Sequence, residues 1–154
     1  MVAAARAAAN LPVFKPMGSG NMGVAWGTYT HASNLAATTV IEYCRVPAGA
    51  RIVGGYWCGG DLDTGTEELD IDIGYAANGV DIADTDAFGN LGTVTGDPSV
   101  HLPVAGIWIP FQGRLLTEGP ILLGAETVLT AIVNTDAATG GTGVTSMVAY
   151  YVVE

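Results

Sequence analysis

Beyond about residue 22, apolar and polar positions alternate with a period of two along most of the chain. The clearest case is Glu68–Tyr75, where Leu69, Ile71 and Ile73 alternate with Asp70 and Asp72. That spacing gives a strand one apolar face and one wet face; a helix would scatter the three apolar residues around its axis. Val24–Thr30 reads as a first strand. Thr38–Val46 is rich in β-branched residues and stops at Pro47. Pro47-Ala48-Gly49-Ala50 is turn chemistry, because proline presets φ and glycine accepts positive φ. Arg51–Leu62 returns as the next strand. Ala76–Gly92 reads as a long polar excursion. Val100–Val104 and Ile107–Phe111 are short strands interrupted by Pro103 and Pro110, which points to edges or bulges. Ile121–Leu123, Thr127–Asn134 and Val144–Val153 complete the set. The last two are expected to pair as a hairpin through the turn Asp136–Gly143.

About eight strands with regular turn signals, and no long helix, describe an all-β protein: an antiparallel β-sandwich of jelly-roll type over residues 23–154. Its expected core includes Leu69, Ile71, Ile73, Val128, Ile132, Val148 and Tyr150. Residues 1–22 read as an extended N-terminal arm. An Ala-rich run is followed by Pro12, Pro16 and the Gly-rich Met17–Gly23. A helix this short is marginal in water, and the prolines favour extended chain. Leu11, Val13, Phe14 and Met17 are the arm's candidate partner-binding residues. They suit a strand laid on the sheet edge or groove of a neighbouring subunit.

Composition narrows the function. Charged residues make up 13% of the 154-residue chain, against a globular norm of roughly 25%. A surface so poor in charge implies cover by other subunits. Net charge is −10, and the five basic residues, Arg6, Lys15, Arg45, Arg51 and Arg114, stand singly. Nucleic acid and anionic membranes both need clustered cations, so neither is an expected partner. No apolar run is long enough to cross a bilayer. Met1–Asn10 has no hydrophobic segment of signal-peptide type. Cys44 and Cys58 lie in apolar strand-like runs; a cross-hairpin disulfide is geometrically conceivable, and buried free thiols are expected.

The segment Val40–Tyr75 (VIEYCRVPAGARIVGGYWCGGDLDTGTEELDIDIGY) resembles a family of small structural proteins encoded among the head genes of tailed bacteriophages. Its continuation AANGVDIADTDAFGN (Ala76–Asn90) and the closing TAIVNTDAATGGTGVTSMVAYYVVE resemble the same family, so the likeness runs from Val24 to the C-terminus. It implies a jelly-roll-like fold and a non-enzymatic place on the outer capsid surface of the virion, as a capsid decoration or cement protein assembled in the host cytoplasm. The partners implied are the major capsid protein and the protein itself, as a homotrimer with a monomer as the alternative. The other reading is a carbohydrate- or host-surface-binding module of a head or tail fibre.

The remaining chemistry is sparse. Asp61, Asp63, Asp70 and Asp72 are the calcium candidates, since calcium needs several converging oxygens. The Asp-x-Asp-x-Asp-Gly spacing is absent, and a solvated strand face with Asx turns accounts for them. Asp81, Asp84 and Asp86 read as turn caps. His31 is expected in a turn and His101 on an edge strand; two separated histidines make a poor transition-metal site. No Gly-x-Ser-x-Gly elbow occurs, and no cofactor is expected. Trp26, Tyr29, Tyr43, Tyr56, Trp57, Tyr75, Trp108, Tyr150 and Tyr151 divide between core, interface and a possible sugar platform.

Overall fold

The computed structural model describes residues 2–3 (backbone), 21–60, 62–63, 68–90 and 107–153. In chain order the elements are β1 (Val2–Ala3), β2 (Met22–His31), β3 (Val40–Val46), β4 (Ala50–Gly59), β5 (Asp70–Tyr75), β6 (Asp84–Asn90), β7 (Ile107–Pro110), α1 (Arg114–Thr117), β8 (Ile121–Leu123), β9 (Thr127–Thr135) and β10 (Gly143–Val153). One sheet has the order β1-β3-β9-β5-β6; the other has β2-β10-β4-β7, with β8 also paired to β4. Apart from β1, which runs parallel to β3, the ladders are antiparallel.

Setting the short β1 and β8 aside, the partners are β2 with β10, β3 with β9, β4 with β7 and β5 with β6. First pairs with last, second with second-last, and so inwards. A doubled ribbon rolled up in this way is a jelly roll. The topology overturns the expected hairpin: β9 and β10 follow each other in sequence but lie in different sheets. In a rolled ribbon each returning strand must meet its outgoing counterpart, so residues 136–142 cross between sheets instead of closing a hairpin. The expected turn after β3 does the same. There Gly49 takes φ 75 and its N–H bonds the Leu123 carbonyl at 2.9 Å.

Leu69, Ile71 and Ile73 are buried as the alternation predicts. Val128, Ile132, Val148 and Tyr150 are only half-buried, because β9 and β10 turn the other parity inwards: Leu129, Ala131 and Val133, and Met147, Ala149 and Tyr151. Both parities of these strands are apolar, so a period of two could not choose between them, and a shift of one residue exchanges the faces. The polar excursion also needs correcting. It contains β6, whose Ala87 and Phe88 are buried, with Phe88 stacked on Phe111 at 4.7 Å between ring centroids. Asp, Gly and Asn masked this edge strand.

Trp57, Tyr43, Tyr151 and Phe88 are the largest fully buried side chains. Each contributes on the order of 1.5–3 kcal/mol by leaving water. In β3 the register shifts between Glu42 and Cys44, a bulge that lets neighbours Tyr43 and Cys44 both point inwards. It also drives the Tyr43 carbonyl against β2, where a Cβ on Gly27 would sit 1.9 Å from that oxygen. Gly27→Ala is therefore expected to destabilise the fold by about 2–3 kcal/mol through overpacking against backbone. Gly54→Ala, with nothing within 4 Å of its Cβ position, is expected to stay within about 0.5 kcal/mol of the parent. Urea denaturation of the two variants checks this; equal losses would refute the close approach.

Candidate interaction surface

The outer face of the β2-β10-β4-β7 sheet carries side chains of the sort that sheets usually bury. Alternation along β2 turns Met22, Val24 and Trp26 outwards. Val53 on β4, Trp108 on β7, Leu122 on β8 and Val144 on β10 join them, and all seven are exposed. They are seven of the ten exposed large hydrophobic residues among those described. Register sets the rows. Trp26 lies beside Val148, Val148 beside Tyr56, and Tyr56 beside Pro110. Trp108 stacks on Tyr56 with centroids 4.4 Å apart and planes 21° off parallel, and Tyr56 meets Tyr150 edge-on at 6.3 Å. Thr28 and Ser146 share a 3.0 Å hydrogen bond and add hydroxyls to the face. Its one charge among the described residues is Arg51, which donates to the Pro120 carbonyl at 3.3 Å.

The other three exposed hydrophobics, Val80, Ile82 and Leu116, stand at one end of the sandwich on a braced frame. Asn78 Nδ2 donates to Asp81 Oδ2 and to Thr127 Oγ1, both at 2.6 Å. Its Oδ1 accepts from the N–H groups of Val80 and Asp81 at 2.9 and 2.6 Å, and Asp81 Oδ2 accepts from Gly124 N–H at 2.8 Å. Arg114 pairs with Asp84 and forks onto Glu118 through Nε and Nη2 at 3.0 and 2.8 Å. The tip is held by its own polar groups while its apolar residues face out.

The acidic candidates lie elsewhere. Asp70 and Asp72 project from the outer face of the other sheet. Burial pushes the Asp72 carboxyl up, a hydrogen bond from Asn134 opposes this, and the charges of Asp70 and Asp86 raise it further. The Oδ1 atoms of both Asp70 and Asp72 are buried with no hydrogen-bond partner among the described residues. Asp63 faces inwards. Its Oδ2 accepts from the N–H groups of Glu68, Leu69 and Ala138 at 2.8, 3.1 and 3.3 Å, and its Oδ1 from Thr139 at 3.3 Å. Burial works against this charge, but the amides of Glu68, Thr139, Leu69 and Ala138 outweigh it and hold the carboxyl below its ordinary value. Asp63 thus ties the start of β5 to the loop before β10. Asp61 lies outside the described residues, as do His101 and the arm residues Leu11, Val13, Phe14 and Met17. Among the described residues no three His, Cys, Asp or Glu converge to hold a metal ion.

His31 is not a turn residue: it ends β2 and is 4% exposed. Its Nε2 lies 2.9 Å from Thr145 Oγ1, which lies 2.6 Å from Tyr43 OH, which accepts from Trp57 Nε1 at 3.1 Å. This chain crosses the core from His31 and Thr145 to Tyr43 of the other sheet and returns to the first at Trp57, and no local sequence signal announces it. Cys44 and Cys58 lie in opposite sheets and form no disulfide with each other.

No protein-family model matches the sequence, and no curated protein matches it. Solved structures do share the fold. A chain of the capsid of Ralstonia phage GP4 superposes with a TM-score of 0.75 at 16% identity, covering 100% of this chain and 99% of that one. A chain of the cyanophage Pam1 capsid asymmetric unit gives 0.65 at 18% identity, covering 96% of each. A chain of the acidic stable capsid structure of Helicobacter pylori bacteriophage KHP30 gives 0.59 at 12%, covering 88% and 90%. At these identities the likeness is one of fold, over nearly the whole length of each chain.

The Asp63 tie has a measurable signature. Asp63→Asn is expected to cost about 3 kcal/mol at pH 7, because buried amides lose a charged acceptor. A depressed folded-state pKa contributes stability at neutral pH that disappears as pH falls through the carboxylate range. The parent should lose more stability than the variant on acidification through that range. Denaturation curves at pH 7 and pH 3 test this; parallel losses would refute it.

Proposed function

We propose that this protein is a non-enzymatic structural protein of a tailed-phage virion, a decoration protein that lays the apolar face of its β2-β10-β4-β7 sheet on major capsid subunits. The observation that carries this reading is the concentration of exposed Trp26, Trp108, Val24 and Met22 on one nearly uncharged sheet, in a chain whose net charge is −10. A monomer in water rarely leaves such a patch bare, so a partner is expected to cover it. The fold shared with chains of phage capsids supports the capsid subunit as that partner. Aromatic side chains supply contact area at low entropic cost, and Trp and Tyr dominate binding energy at interface centres. Docking between shell subunits stabilises the state that presents the complete site, by mass action, and so favours the expanded head.

The stacked Tyr56–Trp108 pair, together with Trp26 and the hydroxyls of Thr28 and Ser146, supports a second reading: a platform for the rings of a carbohydrate on a host surface. Trp26→Ser/Trp108→Ser separates the two. Both side chains are exposed, so folding stability should change by less than about 1 kcal/mol. Occupancy on capsid shells stripped of the native protein should fall by at least about 100-fold. Unchanged occupancy overturns docking through this sheet, and sugar-specific signal of the parent on a glycan array supports the second reading. Shells left undecorated should release DNA at lower temperature than decorated ones.

A further inference from the structure

The hydrogen-bond chain at His31 has only one consistent direction. An indole N–H donates and never accepts, so Trp57 makes the Tyr43 oxygen an acceptor. The Tyr43 proton then goes to Thr145 Oγ1, and the Thr145 proton goes to His31 Nε2. Nε2 must be bare, so the ring is neutral with its proton on Nδ1. Protonating Nε2 makes Thr145 an acceptor from His31. Thr145 Oγ1 then accepts from both His31 and Tyr43, and its own proton has no acceptor left among the described residues of a fully buried site. One buried hydroxyl is unsatisfied whichever way the hydrogens are arranged.

Among the described residues the charge would have no counter-ion either. From β2, Tyr29 meets the ring edge-on with centroids 4.8 Å apart. The adjoining cavity is lined by Asn34, Leu35, Leu62, Leu69, Ile71, Val133 and Gly141, none of them ionisable. β10 presents Thr145, and β3 presents Tyr43 beyond it. Asp63, next to Leu62, spends its carboxylate on backbone amides, and Asp70 and Asp72 flank Ile71 on the opposite face of β5. Burial accordingly lowers His31 to about 4.

The same cavity is where three connections meet. Asn34 Nδ2 donates to the Ala137 carbonyl at 2.7 Å, and Gly141 N–H donates to the Leu62 carbonyl at 2.9 Å. Gly141 packs on Asn34 so closely that a Cβ there would lie 2.3 Å from the Asn34 Cα. We propose that His31 is an acid-responsive latch: the neutral ring locks the ends of segments 32–39, 60–63 and 136–142 together, and protonation releases them while both sheets stay paired. This device goes beyond the docking role and does not depend on it.

The direction follows from linkage. A histidine whose folded-state pKa is depressed contributes stability that is fully present above its unfolded value of about 6.5. That stability is lost as pH falls towards 4, and no more is lost below. Across that window the opening equilibrium of this end should rise roughly 300-fold, the ratio that a 2.5-unit displacement implies. Hydrogen exchange of the full-length protein, corrected for intrinsic rates, reads it at the amides of Gly141 and Ala138, with Ala149 in mid-sheet as the internal reference. The expected result is acid-accelerated exchange at Gly141 and Ala138 but not at Ala149. His31→Gln, which keeps an acceptor for Thr145 and does not titrate, should abolish the acceleration. Should that variant fail to fold, nuclear magnetic resonance of the parent imidazole still decides. A ring neutral at pH 5.5 with its proton on Nδ1 supports the latch; titration near 6.5 overturns it. Acceleration that persists in His31→Gln, or that is equal at Ala149, overturns it as well.

Discussion

The seating of β10 between β2 and β4 is the constraint on which the rest depends. Its eleven residues pair with β2 from Gly143 to Val152 and with β4 from Thr145 to Val153. The last strand therefore closes the roll against the first long one and makes a single sheet of segments far apart in sequence. A one-residue slip would exchange its two faces. Hydrophobicity resists such a slip only weakly, because Val148 and Tyr150 on one face are as apolar as Met147 and Tyr151 on the other. The buried polar chain supplies the discrimination. Only in the observed register does Thr145 reach both Tyr43 and His31; in the slipped register Tyr43 would lose the acceptor for its proton, an unmade buried bond worth about 1–3 kcal/mol. Register here is specified by a hydroxyl more than by oil.

With β10 in place, the molecule has two unlike outer faces. One sheet presents Asp70, Asp72 and Asp86; burial, with the charges of Asp70 and Asp86 adding to it, raises the Asp72 carboxyl. The other presents Trp26, Trp108, Val24 and Met22 with, among the described residues, only Arg51 charged. A strand face directed to water usually carries polar groups, and the acidic sheet follows that rule. The apolar sheet departs from it over five strands, too coherently for scattered surface hydrophobics. The two ends differ as well: one holds apolar side chains out on a frame of Asn78, Asp81 and Arg114, and the other folds His31 and Asp63 inwards to satisfy loops.

A fold shared with phage capsid chains at 12–18% identity supplies architecture, while binding rests on side chains. The jelly roll explains why an apolar sheet can exist here at all. Its inner faces already bury a complete core around Trp57, Tyr43 and Phe88, so the outer face of the β2-β10-β4-β7 sheet is free to be chosen for contact.

The sequence by itself determined that the chain is all-β, where most strands and the Pro47–Gly49 turn fall, and that Leu69, Ile71 and Ile73 form one buried row. Those features follow from local rules: alternation in a strand with acids on one side, and backbone preferences at Pro and Gly. Low charge likewise pointed to a surface poor in polar groups before any face was known. Tertiary structure alone decided the rest. It paired first strand with last, so β9 and β10 became members of different sheets; it made a strand of the Asp-rich segment containing Phe88, because Phe111 waited across the sandwich. It sorted the aromatics, sending Tyr43, Trp57 and Tyr151 inwards and Trp26 and Trp108 out, and it turned His31 and Asp63 from loop polar residues into buried ties. Each of these rests on contacts between residues dozens of positions apart, and a strand with two apolar faces holds no local record of which face its partners will cover.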